Sequence, residues 1–375
     1  MERTELISLL RATGCAEECG EFVFLRDPHW SDPDRATAAT AMRAAAARRA
    51  ETGWLCVRTG GSGGGLKFAR HDEHTLSAAV AGFCRHFELA RVDTVGVLPP
   101  WHVSGLMARV RCATTGGSYV EADWKMLEAG ATPELALGGS WVISLVPTQL
   151  QRLLASARTL EWLRRFRVIF LGGGPAWPEL TSAAAGAGLR ISLGYGMTET
   201  AAMVTGQLPE EFLAGDRSAG RALPHARVAL DPEGRVVIGG ESLFRGYFPD
   251  IRESREFVTE DLGRIDEAGR LHLLGRHDAM IITGGKKVHP LEVEAVLRAS
   301  GEFEDVLVLG VPDLEWGEIV VACHPPQRRV PDLAKAAAAL APHQRPKRVV
   351  PISPWPRNAQ GKINRAAVAA MVRQM

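Results

Sequence analysis

The sequence lacks a strong net charge, and this absence limits the kinds of partner to expect. Its 44 Lys and Arg residues nearly balance 43 Asp and Glu residues, which gives a formal net charge of +1. No field over the whole chain therefore favours nucleic acid or a membrane surface. Any anionic ligand must be bound by a local site.

The sequence also lacks a cysteine cluster and a long apolar run. Its six cysteines are scattered, and no CxxC or Cys/His cluster has zinc spacing. Cys15 and Cys19 are predicted to share a helix face, but reduced thiols are the simpler interpretation because further ligands are missing nearby. No apolar run approaches ~18 residues, and MERTELISLL has acidic residues where a signal peptide has basic ones. We expect a cytoplasmic enzyme without membrane insertion.

Alternating patterns predict an α/β fold. The alanine-rich first ~50 residues look helical. After them, the β-rich runs TVGVLPP, WVISLVP and RVIFLGGG each end at proline or glycine. Helix-compatible segments such as TQLQRLLASAR and PELTSAAAGAG lie between or after these runs. The alternation indicates a large domain of mostly parallel sheets flanked by helices.

The pattern changes near residue 217. ARVALDPEGRVVIGG and LGRIDEAGRLHLLGR each read as two strands around a polar turn, which predicts an antiparallel β subdomain over about 217–277. A compact α+β pattern follows, with helices at PLEVEAVLRAS, PDLAKAAAALA and the C-terminus and strands at EDVLVLGV, EIVVACH and KRVVPI. We expect a large domain over 1–277 and a small mobile domain over 278–375, with the hinge at Asp278.

The glycine-rich stretch TGGSGGGLK, residues 59–67, is a candidate ligand loop. It does not satisfy the Walker A pattern, because Leu66 precedes Lys67 and Phe68 has no hydroxyl for magnesium. Its backbone N–H groups could still face an anion, with the hydroxyls of Thr59 and Ser62 and the charge of Lys67. The residues alone leave two alternatives, a phosphate loop or a flexible connector.

Motifs elsewhere in the chain favour the phosphate loop. TGGSGGGLK resembles the TSGTTGxPK signature of the adenylate-forming superfamily of acyl-CoA synthetases, luciferases and peptide-synthetase adenylation domains. LGGGP, GYGMTET, EDLGRID, GRHDAMIITGGKKVHPLEVE and PRNAQGKINR resemble five further motifs of that superfamily, in the same order. LPPWHVSGL and SLVPTQLQRLL look most like the o-succinylbenzoate–CoA ligases, although related aryl-CoA ligases carry similar stretches.

The resemblance implies a nucleotide site. Tyr195 would stack on adenine, Thr198 would hydrogen-bond the α-phosphate, and Asp261 would accept hydrogen bonds from the ribose hydroxyls. Arg276 would assist at the ribose and phosphate. The remaining nucleotide-binding positions are glycines and loop hydroxyls: Thr59, Gly60, Gly61, Ser62, Gly63, Gly64, Gly172, Gly173, Gly174, Gly194 and Gly196.

The resemblance also implies two half-reactions, with ATP, Mg²⁺ and coenzyme A as the small molecules required. A carboxylate attacks the α-phosphate of ATP, and the thiol of coenzyme A then displaces AMP. Lys67 would hold the β- and γ-phosphates, Glu199 would bind magnesium, and Lys362 would bridge the substrate carboxylate and the α-phosphate. His102 would stand beside the carboxylate, and a buried structural histidine is the alternative.

Acyl and coenzyme A sites follow from the same resemblance. Ser104, Gly105 and Leu106 would line the aryl pocket, and Arg109 is a candidate for a second substrate carboxylate, although a surface arginine needs no such explanation. Rotation of the small domain would bring Thr283, Gly284, Gly285 and Lys286 towards the pantetheine tunnel. A homodimer is compatible with the sequence.

Some positions depart from the superfamily pattern. Glu260 stands where glycine is usual, so it either repels phosphate or points outward. Gly60, Gly63 and Leu66 replace serine, threonine and proline, which predicts weaker or slower nucleotide binding. Only 58 residues precede Thr59, so we expect a shortened first subdomain. Three alternatives remain: an o-succinylbenzoate–CoA ligase, another aryl- or acyl-CoA ligase, and a nucleotide-binding protein without turnover.

Overall fold

Four β-sheets and the helices around them make up the part of the chain that the structure describes. The computed structural model describes residues 1–60, 65–356 and 363–374. Two sheets and most of the helices precede residue 223, an antiparallel sheet follows, and the last sheet belongs to the C-terminal part. No helix in these described ranges is both long and apolar enough to cross a membrane.

The first sheet carries the glycine-rich stretch. It has the order β1-β2-β3-β4, in which β2 and β3 are parallel and the other pairs antiparallel. Phe24, Trp54 and Leu55 are buried in the core between this sheet and its helices, and each large apolar side chain stabilises the fold by about 1.5–3 kcal/mol. The elements are α1 (Arg3–Ala12), β1 (Ala16–Cys19), β2 (Phe22–Leu25), α2 (Asp32–Ala45), β3 (Leu55–Gly60) and β4 (Leu66–His71).

The second sheet has seven strands in the order β11-β10-β9-β8-β7-β5-β6. Five neighbouring strands are parallel to one another, in the spatial order β9, β8, β7, β5 and β6. At one edge, β10 and β11 add antiparallel pairs. Its elements are α3 (Glu73–His86), β5 (Asp93–Gly96), α4 (Val103–Thr115), β6 (Tyr119–Glu121), α5 (Trp124–Glu128), β7 (Trp141–Leu145), α6 (Pro147–Leu154), α7 (Ala157–Leu163), β8 (Val168–Leu171), α8 (Pro178–Gly186), β9 (Ile191–Met197), β10 (Ala202–Gly206), α9 (Pro209–Leu213) and β11 (Arg221–Ala222).

The parallel strands of the second sheet place several motifs at one edge. Gly172 follows β8, Thr198 follows β9, and His102 lies in the connection after β5. Because carboxyl ends of parallel strands meet at the same edge, these residues come together there. β5 lies between β6 and β7, so the strand order reverses its direction across the sheet at β5. Open α/β sheets bind ligands at such a topological switch point.

The third sheet is an antiparallel meander. The strands pair in sequence order, which confirms the two hairpins predicted from ARVALDPEGRVVIGG and LGRIDEAGRLHLLGR. Polar turns close both hairpins, with Gly234 and Gly269 at positive φ, where glycine is favoured. The strands are β12 (Ala226–Leu230), β13 (Arg235–Gly240), β14 (Glu256–Ile265) and β15 (Leu271–Arg276).

The described residues of the C-terminal part form the fourth sheet and three α-helices. The strand order is β17-β16-β19-β18, and β20 pairs in parallel with β19. Val293, Leu297 and Val320 pack in its core. The elements are β16 (Ile281–Thr283), β17 (Lys286–Val288), α10 (Pro290–Ala299), β18 (Leu307–Asp313), β19 (Gly317–His324), α11 (Leu333–Ala336), β20 (Arg348–Pro351) and α12 (Arg365–Arg373).

Three local predictions were wrong. The first ~50 residues are not helical throughout, because β1 and β2 pair as a hairpin between α1 and α2. Cys19 therefore lies in a strand and does not share a helix face with Cys15. The helix predicted at PDLAKAAAALA is only four residues long. In both alanine-rich segments, tertiary packing outweighs helix propensity, which is a weak preference.

Candidate active site

The glycine-rich stretch connects two paired strands. β3 and β4 are antiparallel, and Thr59 is the direct cross-strand partner of Lys67. Direct partners project to the same face of a sheet, with Cβ atoms about 4.5–5.5 Å apart. Gly60 pairs with Leu66 at the end of the ladder. The predicted nucleotide-binding residues Gly61, Ser62, Gly63 and Gly64 lie outside the described residues.

Glu199 is bonded to this hairpin through the hydroxyl of Thr59. Its side chain is buried, and its Oε1 accepts hydrogen bonds from Thr59 Oγ1 at 2.8 Å and from Tyr247 Oη at 2.7 Å. The turn after it contains Ala201 and Ala202 at φ 50° and 80°, where residues other than glycine are uncommon. Such backbone strain is concentrated at functional sites.

The backbone of Thr198 is fixed by a buried histidine. His71 Nε2 lies 2.8 Å from the carbonyl oxygen of Thr198, and because a carbonyl only accepts, this nitrogen carries the proton. Complete burial lowers the pKa of His71 to about 4, so the ring is neutral at neutral pH. Thr198 Oγ1 lies 3.4 Å from the carbonyl oxygen of Arg58. The GYGMTET motif is therefore tied to β3 and β4.

Close backbone approach explains the glycines of this motif. A Cβ atom at Gly196 would lie 1.9 Å from the carbonyl oxygen of Ala202, and one at Gly194 would lie 2.8 Å from that of Thr205. Gly173 has a φ of 77° in the loop after β8, between Gly172 and Gly174. Packing against β10 therefore accounts for Gly194 and Gly196, and the nucleotide contacts of these glycines stay a prediction.

Tyr195, Asp261 and Arg276 form a second polar group. Tyr195 Oη donates to Asp261 Oδ2 at 2.7 Å, and Arg276 Nη1 lies 3.5 Å from Asp261 Oδ1. Asp261 and Arg276 are cross-strand partners on β14 and β15. Burial, followed by the Asp261 charge, raises the pKa of Tyr195. Most of the Tyr195 surface is buried in a cluster with Val204 and other apolar residues, so stacking on adenine stays a prediction.

Arg276 also binds Asp278. Its Nε and Nη2 donate to the two carboxylate oxygens of Asp278 at 2.8 and 2.7 Å. This bidentate contact is the main cause that raises the pKa of Arg276. Asp278 lies in a short 3-10 turn between β15 and β16. The extra carboxylate Glu260 lies beside His277, with 3.5 Å between Oε2 and Nδ1, and successive strand residues point to opposite faces.

His102 stands at the start of α4. It is the residue before the first turn of the helix, and burial lowers its pKa, an effect that the nearby Asp27 carboxylate opposes. Asp27 is bonded to Arg58 at 2.8 Å. Ser104 is half-buried, whereas Leu106 is fully buried in the core. A Cβ atom at Gly105 would lie 2.1 Å from the carbonyl oxygen of Pro99, so this helix turn needs glycine.

Arg109 has partners other than a substrate. Its guanidinium lies 4.2 Å from the ring centroid of Tyr119, and Nη2 donates to Glu121 at 3.0 Å. It lines a surface cavity of about 220 Å³ that includes Leu9 and Ala12 of α1. The structure therefore accounts for Arg109 without an acyl ligand, and its predicted contact with a second substrate carboxylate stays a prediction.

The predicted coenzyme A residues form the β16–β17 turn. Thr283 and Lys286 pair across this turn, and Gly284 and Gly285 between them have φ values of 55° and 73°. Gly284 N donates to the carbonyl oxygen of Trp316 at 2.9 Å. Lys362 lies outside the described residues, so its predicted role rests on the PRNAQGKINR motif.

Sequence reasoning missed Tyr247. This residue lies in RGYFPD, a stretch without a helical or strand repeat, and it bridges to Ala69 on β4. Its ring centroid lies 5.2 Å from Lys67 Nζ. The only signal in the sequence is rarity, since the chain has three tyrosines. His71 was also missed, because a histidine inside a strand pattern resembles an ordinary buried residue.

The carboxylate of Glu199 fits a magnesium ion that arrives with a nucleotide. Within the described ranges, no group of three or more His, Cys, Asp and Glu side chains could hold a metal ion alone. Magnesium is usually bound by one or two protein carboxylates together with substrate phosphates and water. One buried carboxylate beside a glycine-rich hairpin and a lysine meets that requirement.

These features define an α/β protein of the adenylate-forming fold, with a large N-terminal part and a smaller C-terminal part. The chain belongs to the AMP-binding enzyme family: that family matches residues 23–248, and the AMP-binding enzyme C-terminal domain matches residues 292–362.

Curated relatives agree with this family. The chain is 32% identical over 300 residues to the 2-succinylbenzoate–CoA ligase of Geobacillus sp., an alignment that covers 74% of this chain and 60% of the relative. The chain therefore spans about 60% of the length of the first curated relatives that it matches. It is also 31% identical to a Mycobacterium tuberculosis protein named "Probable 2-succinylbenzoate--CoA ligase", covering 84% of this chain and 83% of that protein.

Solved structures share the fold. ATP-bound MatB from Rhodopseudomonas palustris superposes with a TM-score of 0.75 at 27% identity, covering 88% of this chain and 72% of that one. The o-succinylbenzoate CoA synthetase MenE from Bacillus subtilis, in complex with the acyl-adenylate intermediate OSB-AMP, has a TM-score of 0.72 at 24% identity. That alignment covers 85% of this chain and 69% of the MenE chain.

Proposed function

We propose that this protein is an ATP-dependent acid–CoA ligase that acts through an acyl-adenylate, with o-succinylbenzoate as its acid and menaquinone biosynthesis as its pathway. The observation that carries the proposal is the convergence of Thr59, Lys67 and Glu199. Two motifs 140 residues apart meet through a buried hydrogen bond, beside a lysine on the adjacent strand. The curated relatives supply the acid, since both are named 2-succinylbenzoate–CoA ligases.

In the first half-reaction, a carboxylate oxygen attacks the α-phosphorus of ATP, and the bond to the pyrophosphate oxygen breaks. Lys67 and the amides of the glycine-rich loop would bind the β- and γ-phosphates and the departing pyrophosphate. Glu199 would hold magnesium, which neutralises phosphate charge. Asp261 and Arg276 would orient the ribose, Tyr195 and the glycines after β8 would contact adenine, and Thr198 would bond the α-phosphate.

The C-terminal part would supply the remaining groups. Lys362 would bridge the acid and the α-phosphate during adenylation. In the second half-reaction, the sulfur of coenzyme A attacks the acyl carbon and AMP leaves. Rotation at Asp278 would move Lys362 out of the active site and bring in the turn that contains Gly284, Gly285 and Lys286. The bidentate contact of Arg276 with Asp278 supports this hinge, because it joins the ribose site to the segment that must rotate.

The acid would lie against the start of α4. His102, Ser104, Gly105 and Leu106 are the acyl-binding residues of the proposal, and Arg109 is its least supported member because Glu121 already binds its guanidinium. A large domain over 1–277, a small domain over 278–375, a cytoplasmic location and a homodimer complete the proposal. Its partners are the acid, ATP and coenzyme A.

One experiment tests the proposal. ATP–pyrophosphate exchange is measured across a panel of carboxylic acids that includes o-succinylbenzoate, and we expect the largest kcat/KM with that acid. A different preferred acid would favour another aryl- or acyl-CoA ligase. ATP binding without exchange for any acid would favour a nucleotide-binding protein without turnover.

A further inference from the structure

Tyr247 contacts both charged groups of the candidate phosphate site. Its hydroxyl donates to Glu199 Oε1 at 2.7 Å, and its ring lies under the ammonium of Lys67, with 5.2 Å from Nζ to the ring centroid. Burial and the Glu199 charge raise the pKa of Tyr247, so the phenol keeps its proton and donates. One side chain therefore binds the Glu199 carboxylate with its hydroxyl and the Lys67 ammonium with the face of its ring.

Without this phenol, the two charges would be free to pair. Thr59 and Lys67 are direct cross-strand partners, so their side chains project from the same face of the hairpin. Thr59 already contacts Glu199 at 2.8 Å, which brings the lysine to the same side as the carboxylate. In a Lys67–Glu199 ion pair, the ammonium would no longer be available to the phosphates, and the carboxylate would no longer be available to magnesium.

The backbone around Tyr247 holds the phenol in place. Phe244 N donates to the carbonyl oxygen of Glu199 at 2.8 Å, and Phe248 N donates to that of Phe68 at 2.8 Å. Arg70 N donates to the carbonyl oxygen of Gly246 at 2.9 Å. The segment is thus bonded to β4 and to the Glu199 turn, on both sides of the tyrosine, which limits movement of the ring.

We propose that Tyr247 is a positioning residue that keeps Lys67 and Glu199 apart, so that Lys67 is free to bind the β- and γ-phosphates of a nucleoside triphosphate. The inference rests on the proposed nucleotide site but not on the identity of the acid. It gives a specific expectation for ligands. AMP lacks the β- and γ-phosphates, so its affinity should not depend on Tyr247, whereas the affinity for ATP should.

The test is calorimetric binding of ATP and of AMP, both without magnesium, to the full chain. We expect Tyr247→Leu, which removes hydroxyl and ring, to raise the Kd for ATP about 30-fold. Tyr247→Phe keeps the ring and should raise it about fivefold. Both variants should leave the Kd for AMP within about twofold of wild type, because their effect is confined to the outer phosphates. Tyr119→Phe is the matched control.

Other results would overturn the role of Tyr247. An unchanged Kd for ATP in both variants would exclude it, and equal losses for ATP and AMP would show a general structural effect. If Tyr247→Leu does not fold, Tyr247→Phe decides by the same comparison. A wild-type protein that binds ATP but catalyses no exchange with any acid would contradict the proposed ligase activity, and leave the binding comparison as the measure of Tyr247.

Discussion

The hydroxyl of Thr59 donates a 2.8 Å hydrogen bond to the carboxylate of Glu199, a residue 140 positions later in the chain. Both side chains are buried, Thr59 at 8% and Glu199 at 6% exposure. The bond joins the root of the glycine-rich hairpin to the turn after β9. A neutral hydroxyl stabilises the buried anion without cancelling its charge, which leaves the carboxylate able to bind a cation.

Replacement of Thr59 by valine should weaken both the fold and the nucleotide site. Valine has a similar shape but no donor, so Glu199 loses one of its two hydroxyl partners. We expect a loss of about 1–3 kcal/mol in the free energy of unfolding and a KM for ATP raised about tenfold. Urea denaturation and pyrophosphate exchange measure these effects. Thr59→Ser should restore most of both, and a serine variant as impaired as valine would contradict the hydrogen-bond explanation.

Lys362→Ala should separate the two half-reactions. The PRNAQGKINR motif predicts that this lysine contacts the acid and the α-phosphate only during adenylation. Loss of one such cation should slow adenylation about 100- to 1000-fold, as measured by pyrophosphate exchange. Thioester formation from supplied acyl-adenylate should continue at nearly the wild-type rate. Equal loss of both half-reactions would contradict the role assigned to Lys362.

Local sequence signals predicted the elements better than the contacts between them. The parallel sheet follows from β-rich runs such as WVISLVP, and the β12–β13 hairpin from its turn at Gly234, because both depend on neighbouring residues. The pairing of Tyr247 with Glu199 depends on the path of the chain between them, which no local pattern specifies. The β1–β2 hairpin was missed for a similar reason, since β2 gains its stability by pairing with β3.

Glu260 should have little effect on nucleotide binding. The structure places its carboxylate beside His277, and its side chain is 45% exposed. Glu260→Gly, which restores the residue usual at this position, should change the KM for ATP by less than about twofold, because exposed charges are well screened. Asp261→Asn is the comparison, with an expected rise of about tenfold from the loss of a charged acceptor. A large improvement in Glu260→Gly would show that the extra carboxylate repels phosphate.

Two buried histidines should make the protein less stable in mild acid. Burial lowers the pKa of His71 to about 4 and that of His225 to about 4, whereas an unfolded histidine has a pKa of about 6.5. Above about pH 6.5 both states are neutral at these positions. Between about pH 6.5 and 4, only the unfolded chain takes up the protons, so stability falls as pH falls, by about 1.4 kcal/mol per pH unit for each histidine.

Substitution of His71 by glutamine removes one of these two titrating groups, so its contribution to the pH dependence of stability can be measured separately. The glutamine amide can still donate to the carbonyl oxygen of Thr198, the group that His71 Nε2 contacts at 2.8 Å, but it does not titrate. Urea denaturation at about pH 7, 6 and 5 should therefore give a slope of stability against pH that is shallower than wild type by about 1.4 kcal/mol per unit. His74→Gln is the control, because its side chain is 79% exposed and solvated in both states. If the two variants had the same slope, His71 would take up its proton over the same pH range in the folded and unfolded states, and the lowered pKa assigned to its burial would be contradicted.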